Sequence, residues 1–291
     1  MPKVSILMLS FNHEAFIEEA VSSAVSQDWD DLEVVVADDA STDRTPALLQ
    51  ELAARHPGRL RVILNPRNLG VTRNCNVAFE ACRGELVAIL GGDDVMLPGK
   101  VRHQAGFMQS DPACALSFHD MEIFGDGATR LFSANHPPLE GDGEMVAMYG
   151  TWFPAPSVMI RNRPGLRFAE EIPVSSDWLF WIDVVEAGPG MVRNAGGVWS
   201  RYRRHAGNIT ANEKGVLEER LLTLKLARER HPRLATACRK GRARLYAEAA
   251  FAQAGSGRAL AAVGSLLRGA AASPSGLAGS VRTLLRLKAP R

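Results

Sequence analysis

The chain has 291 residues, is 46% hydrophobic and 23% charged, and carries a formal net charge of +2. That length buries a full core, the composition is that of a soluble globular protein, and no apolar run reaches the ~20 residues of a membrane-spanning helix. Cys75, Cys82, Cys114 and Cys238 have neither metal-ligand spacing nor the density of a disulfide scaffold, and read as reduced, buried thiols of a cytoplasmic protein. Met1 to Ser10 enters a strand-like stretch directly, without the pattern of a cleavable signal.

Val4–Leu9 (VSILML) is a short β-rich run that stops at Ser10-Phe11-Asn12. Apolar residues from Phe16 to Val25 recur near helical spacing, and Leu32–Ala37 (LEVVVA) forms a second strand. Asp38-Asp39-Ala40-Ser41-Thr42-Asp43 breaks that strand, and a helix follows over Thr45–Arg55. Leu60–Leu64 is a third strand, followed by a polar loop and a helix around Arg73–Ala81. Leu86–Leu90 is a fourth, closed by Gly91-Gly92-Asp93-Asp94. This alternation predicts an α/β protein with a mostly parallel central sheet and helices on both faces. Such sheets bind ligands at the carboxyl ends of their strands, and each of these polar clusters follows a strand. Beyond about Pro112 the pattern is irregular, with Gly- and Pro-rich loops between Phe124 and Pro156, until helical periodicity returns over Ser176–Ala187. From Val216 onward the chain is Ala/Leu/Arg-rich and helical, with breaks near Gly255 and at Ser273-Pro274-Ser275-Gly276.

Charge is unevenly spread. Arg233 to Arg291 holds eleven Lys/Arg against the single acid Glu248, a surplus of +10 that leaves −8 on residues 1–232. An acidic body with a basic tail points to an anionic partner. Leu260, Val263, Leu266 and Leu267 fall at helical spacing, as do Val281, Leu284, Leu285 and Lys288. Basic amphipathic helices of this kind lie on an anionic membrane surface, or pack on the rest of the chain or a second subunit in a homo-oligomer; the sequence leaves these open. Tyr246 and Phe251 are the only aromatics of the tail, so nucleic-acid binding is not expected.

Several residue types fit phosphate and sugar chemistry. Asp93-Asp94, behind two glycines that permit close backbone approach, suits a Mg²⁺ or Mn²⁺ ion held by carboxylates and phosphate oxygens; it equally fits a turn with capping aspartates. Asp39 reads as an acceptor for a base N–H or a ribose hydroxyl, and Asp43 as a cap of the next helix. Arg73 and Asn74 stand at a helix start, where a cation and backbone amides meet an anionic ligand. No G-x-G-x-x-G follows the first strand and no G-x-x-x-x-G-K-[ST] occurs, which argues against a dinucleotide oxidoreductase and a P-loop kinase.

In their order and spacing, VSILMLSFNHEAFIEEAVSSAVSQ, LEVVVADDASTD, RVILNPRNLGVTRNCNVAFEACRGELVAILGGDD and MLPGKV resemble the family-2 glycosyltransferases of the GT-A fold over about residues 3–125. The resemblance implies an inverting enzyme that moves a sugar from a nucleotide diphosphate donor to an acceptor hydroxyl with Mn²⁺ or Mg²⁺. It implies that Ser10 and Phe11, with Asn12, lie near the base and that Asp39 bonds to it. Arg73, with Asn74, would lie near the diphosphate or sugar, Asp93 would contact the ribose or sugar, and Asp94 would ligate the metal. Gly91 stands where many relatives carry a further Asp. Ser175-Ser176-Asp177-Trp178 is similar to the segment whose Asp is the general base, although Asp177 also fits a helix cap. Arg201 to Thr210 resembles the closing loop, in which Arg204 would neutralise the diphosphate and His205 would ligate the metal or bond the diphosphate. Trp152 and Trp178 offer either an acceptor platform or core packing.

This reading divides the chain into a catalytic domain over 1–215, with a nucleotide-binding half 1–112 and an acceptor-binding half 113–215, and a helical extension over 216–291. By association the acceptor is a bacterial cell-surface glycan or a lipid-linked sugar. The enzyme then works in the cytoplasm, peripheral to the inner face of the membrane. The alternative is a degenerate domain that binds donor, or scaffolds a partner, without turnover.

Overall fold

The computed structural model describes residues 3–134, 140–188, 190–208 and 216–288. The chain forms two compact units, one of Met1–Glu140 with Trp152–Asn212 and one of Gly141–Thr151 with Glu213–Arg291.

The larger unit is built on β1 (Val4–Ser10), β2 (Leu32–Asp38), β3 (Leu60–Leu64), β4 (Leu86–Gly91), β5 (Val95–Met96), β6 (Cys114–Phe124), β7 (Arg130–Leu131), β8 (Met159–Arg161) and β9 (Met191–Arg203). They form one sheet in the order β3-β2-β1-β4-β8-β6-β9-β5, with β7 against β6. The first four are parallel neighbours. β8 lies antiparallel between β4 and β6, and β6 pairs parallel with β9. Every residue of β2 is buried, and Val4, Ile6 and Met8 of β1 alternate with a buried Leu7, so these strands are covered on both faces. This is why they read as continuous apolar runs. The helices α1 (Ile17–Val25), α2 (Thr45–Arg55), α3 (Val71–Ala81) and α4 (Lys100–Ser110) follow the first strands. α1 buries Ile17, Ala20, Val21 and Ala24 against Ile6, Met8, Val34 and Val36. Each fully buried aliphatic side chain of this kind stabilises by about 1.5–3 kcal/mol.

Periodicity in the sequence marks neither β6 nor β9, the two longest strands among the described residues. Their register shifts between Cys114 and Leu116, between Phe118 and Asp120, and between Asp120 and Met121. Each irregularity breaks the two-residue period, and most of β9 is only half-buried, so no apolar alternation survives.

The smaller unit contains α5 (Gly143–Tyr149), α7 (Val216–Arg230), α8 (Ala235–Gly255), α9 (Ala259–Ala272) and α10 (Pro274–Lys288); α6 (Asp177–Glu186) belongs to the larger one. Asp142 caps α5 by accepting the Glu144 and Met145 amides. Gly241 of α8 lets the helices come close, since a Cβ there would lie 2.4 Å from the Ala147 carbonyl oxygen. Arg244 of α8 donates to the Met148 carbonyl at the end of α5, at 2.9 Å. The helical unit is therefore discontinuous in sequence. Its breaks at Gly255 and Ser273 fall where composition places them.

Candidate active site

β4 delivers its carboxyl end at Gly91, and the Gly92 amide bonds to the Leu9 carbonyl at 2.8 Å, which pins the following turn beside β1. A Cβ on Gly91 would meet Asp93 Oδ1 at 2.6 Å and Asp94 Oδ2 at 2.9 Å. Both carboxylates thus lean over the space that a side chain at this position would fill. Asp94 is 2% exposed, and its Oδ1 accepts the Arg203 amide at 2.9 Å. Burial, then the neighbouring Asp93 charge, pushes its carboxyl well above the usual range.

The loop after β9 closes on Asp93. His205 Nε2 lies 3.0 Å from Asp93 Oδ2, and Asn208 Nδ2 donates to the same oxygen at 3.2 Å. The Gly207 amide donates to His205 Nδ1, which leaves Nε2 as the nitrogen that donates to Asp93. His13 approaches the same carboxylate at 3.9 Å; burial, ahead of Asp93's opposing pull, holds its pKa below the ordinary value. Gly92 makes room for that ring, since a Cβ there would lie 2.7 Å from His13 Nδ1. Arg203 donates to the Asp93 carbonyl, pairs with Glu19, and lies over the rings of Phe16 and Phe124 at 4.8 and 4.5 Å. Sequence reasoning gave no role to His13, Arg203 or Asn208. All three stand inside the matched motifs, His13 in the first and Arg203 and Asn208 in the closing loop, and that adjacency was the available signal.

The donor set suits a hard divalent cation, because two carboxylates converge with one of them buried and short of compensating charge. Among the described residues no group of three or more His, Cys, Asp or Glu is arranged to hold a metal alone. An ion here would complete its shell with phosphate oxygens and water.

Along the same carboxyl edge, two strands from β4 and just beyond β2, Asp39 accepts the Leu69 and Gly70 amides at 2.7 and 2.9 Å and Asn65 Nδ2 at 3.2 Å. Asn74 is buried, accepts from Asn65 and donates to the Ala37 carbonyl, so both ends of its amide are engaged within the protein. Asn12, at φ +54°, accepts the Thr42 amide, and Ala40 at φ +59° makes the matching turn. Ser10 Oγ is buried with no hydrogen-bond partner among the described residues, and the neighbouring Phe11 ring is 44% exposed. Asp43 accepts the Thr45 amide at the start of α2.

Arg73 is exposed and pairs with Glu170 at 3.1 Å, and Arg204 pairs with Asp126 at 3.1 Å. Asp177 is the first residue of α6 and accepts the Trp178 amide, while Ser176 occupies the cap position. Thr72, at the start of α3, holds this corner: its hydroxyl lies 2.6 Å from the Ile172 carbonyl and 2.9 Å from Ser176 Oγ. Asp177 sits near Cys75, whose thiol is pushed up to about 12 by burial first and by the Asp177 charge second. Trp178 is buried in the core, whereas Trp152 lines a cavity of about 430 Å³ with Phe118, His119, Asp120 and Phe153.

The sequence profile described as Glycosyl transferase family 2 matches residues 5–166, which includes β1 to β4, the two aspartates and β6. The chain belongs to this family. An uncharacterized protein of Mycobacterium tuberculosis is 33% identical over 215 residues, covering 71% of this chain and 60% of that protein. The match thus spans less than two thirds of that relative's length. The UDP-Glc:alpha-D-GlcNAc-diphosphoundecaprenol beta-1,3-glucosyltransferase WfaP of Escherichia coli is 28% identical over 73% of this chain and 82% of its own. Among solved structures, Staphylococcus aureus TarS in complex with UDP-GlcNAc superposes with a TM-score of 0.65 at 18% identity, over 82% of this chain and 71% of that one. The mannosyltransferase PcManGT of Pyrobaculum calidifontis, in complex with GDP-Man and Mn²⁺, gives 0.62 at 18% identity, over 99% of this chain and 81% of that one. The fold is the GT-A fold of this family, followed by a helical region.

Proposed function

We propose that this family-2 chain transfers a sugar from a nucleotide diphosphate donor to an acceptor hydroxyl, with inversion at the anomeric carbon. The observation that carries the reading is the convergence of Asp93 and Asp94 over Gly91 at the carboxyl end of a parallel strand. Ser10, Phe11, Asn12 and Asp39 take the nucleoside: a buried hydroxyl without a partner and an exposed ring beside it support that role. Asn74 supports the same pocket from behind. Arg73 and Arg204 reach the diphosphate by exchanging exposed ion pairs that are each worth at most ~1 kcal/mol. Asp94 would hold Mn²⁺ or Mg²⁺ with Asp93 beside it, and a bound ion there would neutralise the leaving diphosphate. His205, whose ring nitrogens are engaged by Gly207 and Asp93, would ligate the ion or bond the diphosphate only by giving up its bond to Asp93. Asp177 takes the proton of the acceptor hydroxyl, whose oxygen attacks the anomeric carbon from the face opposite the diphosphate. Gly91 lends no support to a degenerate domain, because the missing side chain is what admits both carboxylates.

The names of relatives support a UDP- or GDP-linked donor and a glycan or diphosphate-linked lipid acceptor. The setting that follows is assembly of a bacterial cell-surface glycan at the inner face of the membrane. The test is release of nucleoside diphosphate from UDP- and GDP-sugars with Mn²⁺, by the wild type and by Asp94→Asn. Asparagine keeps the acceptor for the Arg203 amide and removes a charge that burial disfavours, so the variant should melt no lower while turnover is lost. Full turnover by Asp94→Asn, or in excess chelator, overturns the metal assignment. No release from any donor overturns the transfer reading.

A further inference from the structure

α9 is inside-out for a helix of a globular protein. The face it buries carries small residues, Ala262, Ser265 and Gly269, while Leu260, Val263 and Leu267 are 91%, 54% and 67% exposed. These three recur at i, i+3 and i+7, and Leu266, 36% exposed, widens the stripe. An amphipathic surface helix normally turns its leucines to the core. Here the tight inner packing explains the small residues: a Cβ on Gly269 would lie 2.9 Å from Leu277 Cδ1 and 3.3 Å from Tyr246 Cβ. It does not explain four large aliphatic side chains facing water. On α10, Leu285 is likewise 56% exposed.

Charge selects the occupant. From Phe251 to Arg291 the sequence holds six Lys/Arg and not one Asp or Glu. The exposed Arg258 and Arg268 bracket the apolar stripe of α9. A second copy of this surface would bring like charges together. An anionic bilayer offers both complements, acyl chains for the leucines and lipid phosphates for the arginines. We infer that the outer face of α9 is a docking surface for an anionic lipid bilayer, with Leu260, Val263 and Leu267 entering the interface and Arg258 and Arg268 at headgroup level. This surface does not depend on the chemistry assigned to Asp94, so the two readings stand or fall separately.

The experiment is co-sedimentation of the whole 291-residue chain with vesicles of phosphatidylglycerol and phosphatidylcholine, and with vesicles of phosphatidylcholine alone. The wild type should pellet with the anionic vesicles only, and less as salt rises from about 0.1 M to about 1 M, where the Debye length falls from ~10 Å to ~3 Å. Leu260→Asp with Leu267→Asp should reduce the bound fraction at least tenfold, and Arg258→Glu with Arg268→Glu should abolish the preference for anionic lipid. Both doubles should melt with the wild type, because all four positions are exposed. Equal vesicle binding by the leucine double, or no binding by the wild type, overturns the proposal. So does a marked loss of melting temperature in the leucine double, which would mean that the face is covered in the folded protein. A wild-type dimer that the leucine double dissociates in the absence of lipid would assign the face to a second copy instead.

Discussion

Gly91 stands where a further aspartate is common, and its Cβ-free position is where the Asp93 and Asp94 oxygens meet. Neither carboxylate moves aside freely: Asp94 is buried and bonded to the Arg203 amide, and Asp93 is held by His205 and Asn208. Gly91→Ala should therefore lower kcat at least tenfold and raise the Mn²⁺ concentration needed for half-maximal activity, with folding largely retained. Unchanged metal dependence would show that the carboxylates have room to spare. Behind them lies Lys100, wholly buried, its Nζ bonded to the Pro156 carbonyl at 2.9 Å. Burial pulls its pKa down to about 7 against the opposing charge of Asp94. An unfolded lysine titrates near 10.4, so between about pH 7 and about pH 10 the unfolded chain holds more protons and stability rises with pH. Lys100→Met lacks this linkage. Urea denaturation should show the wild type gaining on Lys100→Met as pH rises across that window, by on the order of 5 kcal/mol at most. Parallel stability curves would mean that Lys100 keeps its ordinary pKa.

Among elements, the first turns of α3 and α6 are tied together, and on the proposed role of Asp177 as base that tie bears on the chemistry. The Thr72 hydroxyl, at the start of α3, meets the Ile172 carbonyl and Ser176 Oγ just before Asp177 begins α6. A buried hydroxyl removed from such partners costs about 1–3 kcal/mol. Thr72→Val should thus destabilise the protein by that order and also reduce kcat, since the carboxylate it helps to place would drift. Asp177→Asn should separate the two effects: kcat falls by about 10² or more while donor binding and melting change little. If Asp177→Asn instead loses stability and keeps its specific activity, the residue serves α6 alone. The sequence marks Asp177 by its resemblance to the family segment alone. It could not show that a threonine on a distant helix holds its neighbours, because that bond joins positions about a hundred residues apart.

At the scale of the whole molecule, the helical unit takes α5 from the middle of the chain. Val146 and Ala147 of α5 are fully buried, and Ala147 lies against Gly241 of α8. A chain ending after Asn208 would expose them, and light scattering should find it aggregated where the full chain is monodisperse. A soluble, folded product would show that α5 needs no partner. The case of α5 marks the limit of what the sequence could determine by itself. The four parallel strands and the helices between them were legible because local periodicity and burial agree there: strands covered on both faces are apolar throughout, and α1 repeats its buried side every turn. The polar clusters at the strand ends were legible for the same reason, since chain order places them. Only the tertiary structure decided that β6 and β9 are long strands, because their irregular register erases the two-residue period. Only it brought Arg203, His205 and Asn208 onto Asp93, a meeting of segments more than a hundred residues apart. And only it turned the leucines of α9 outward: helical spacing defines a stripe, but which side of a helix faces water depends on the helix packed against the other side.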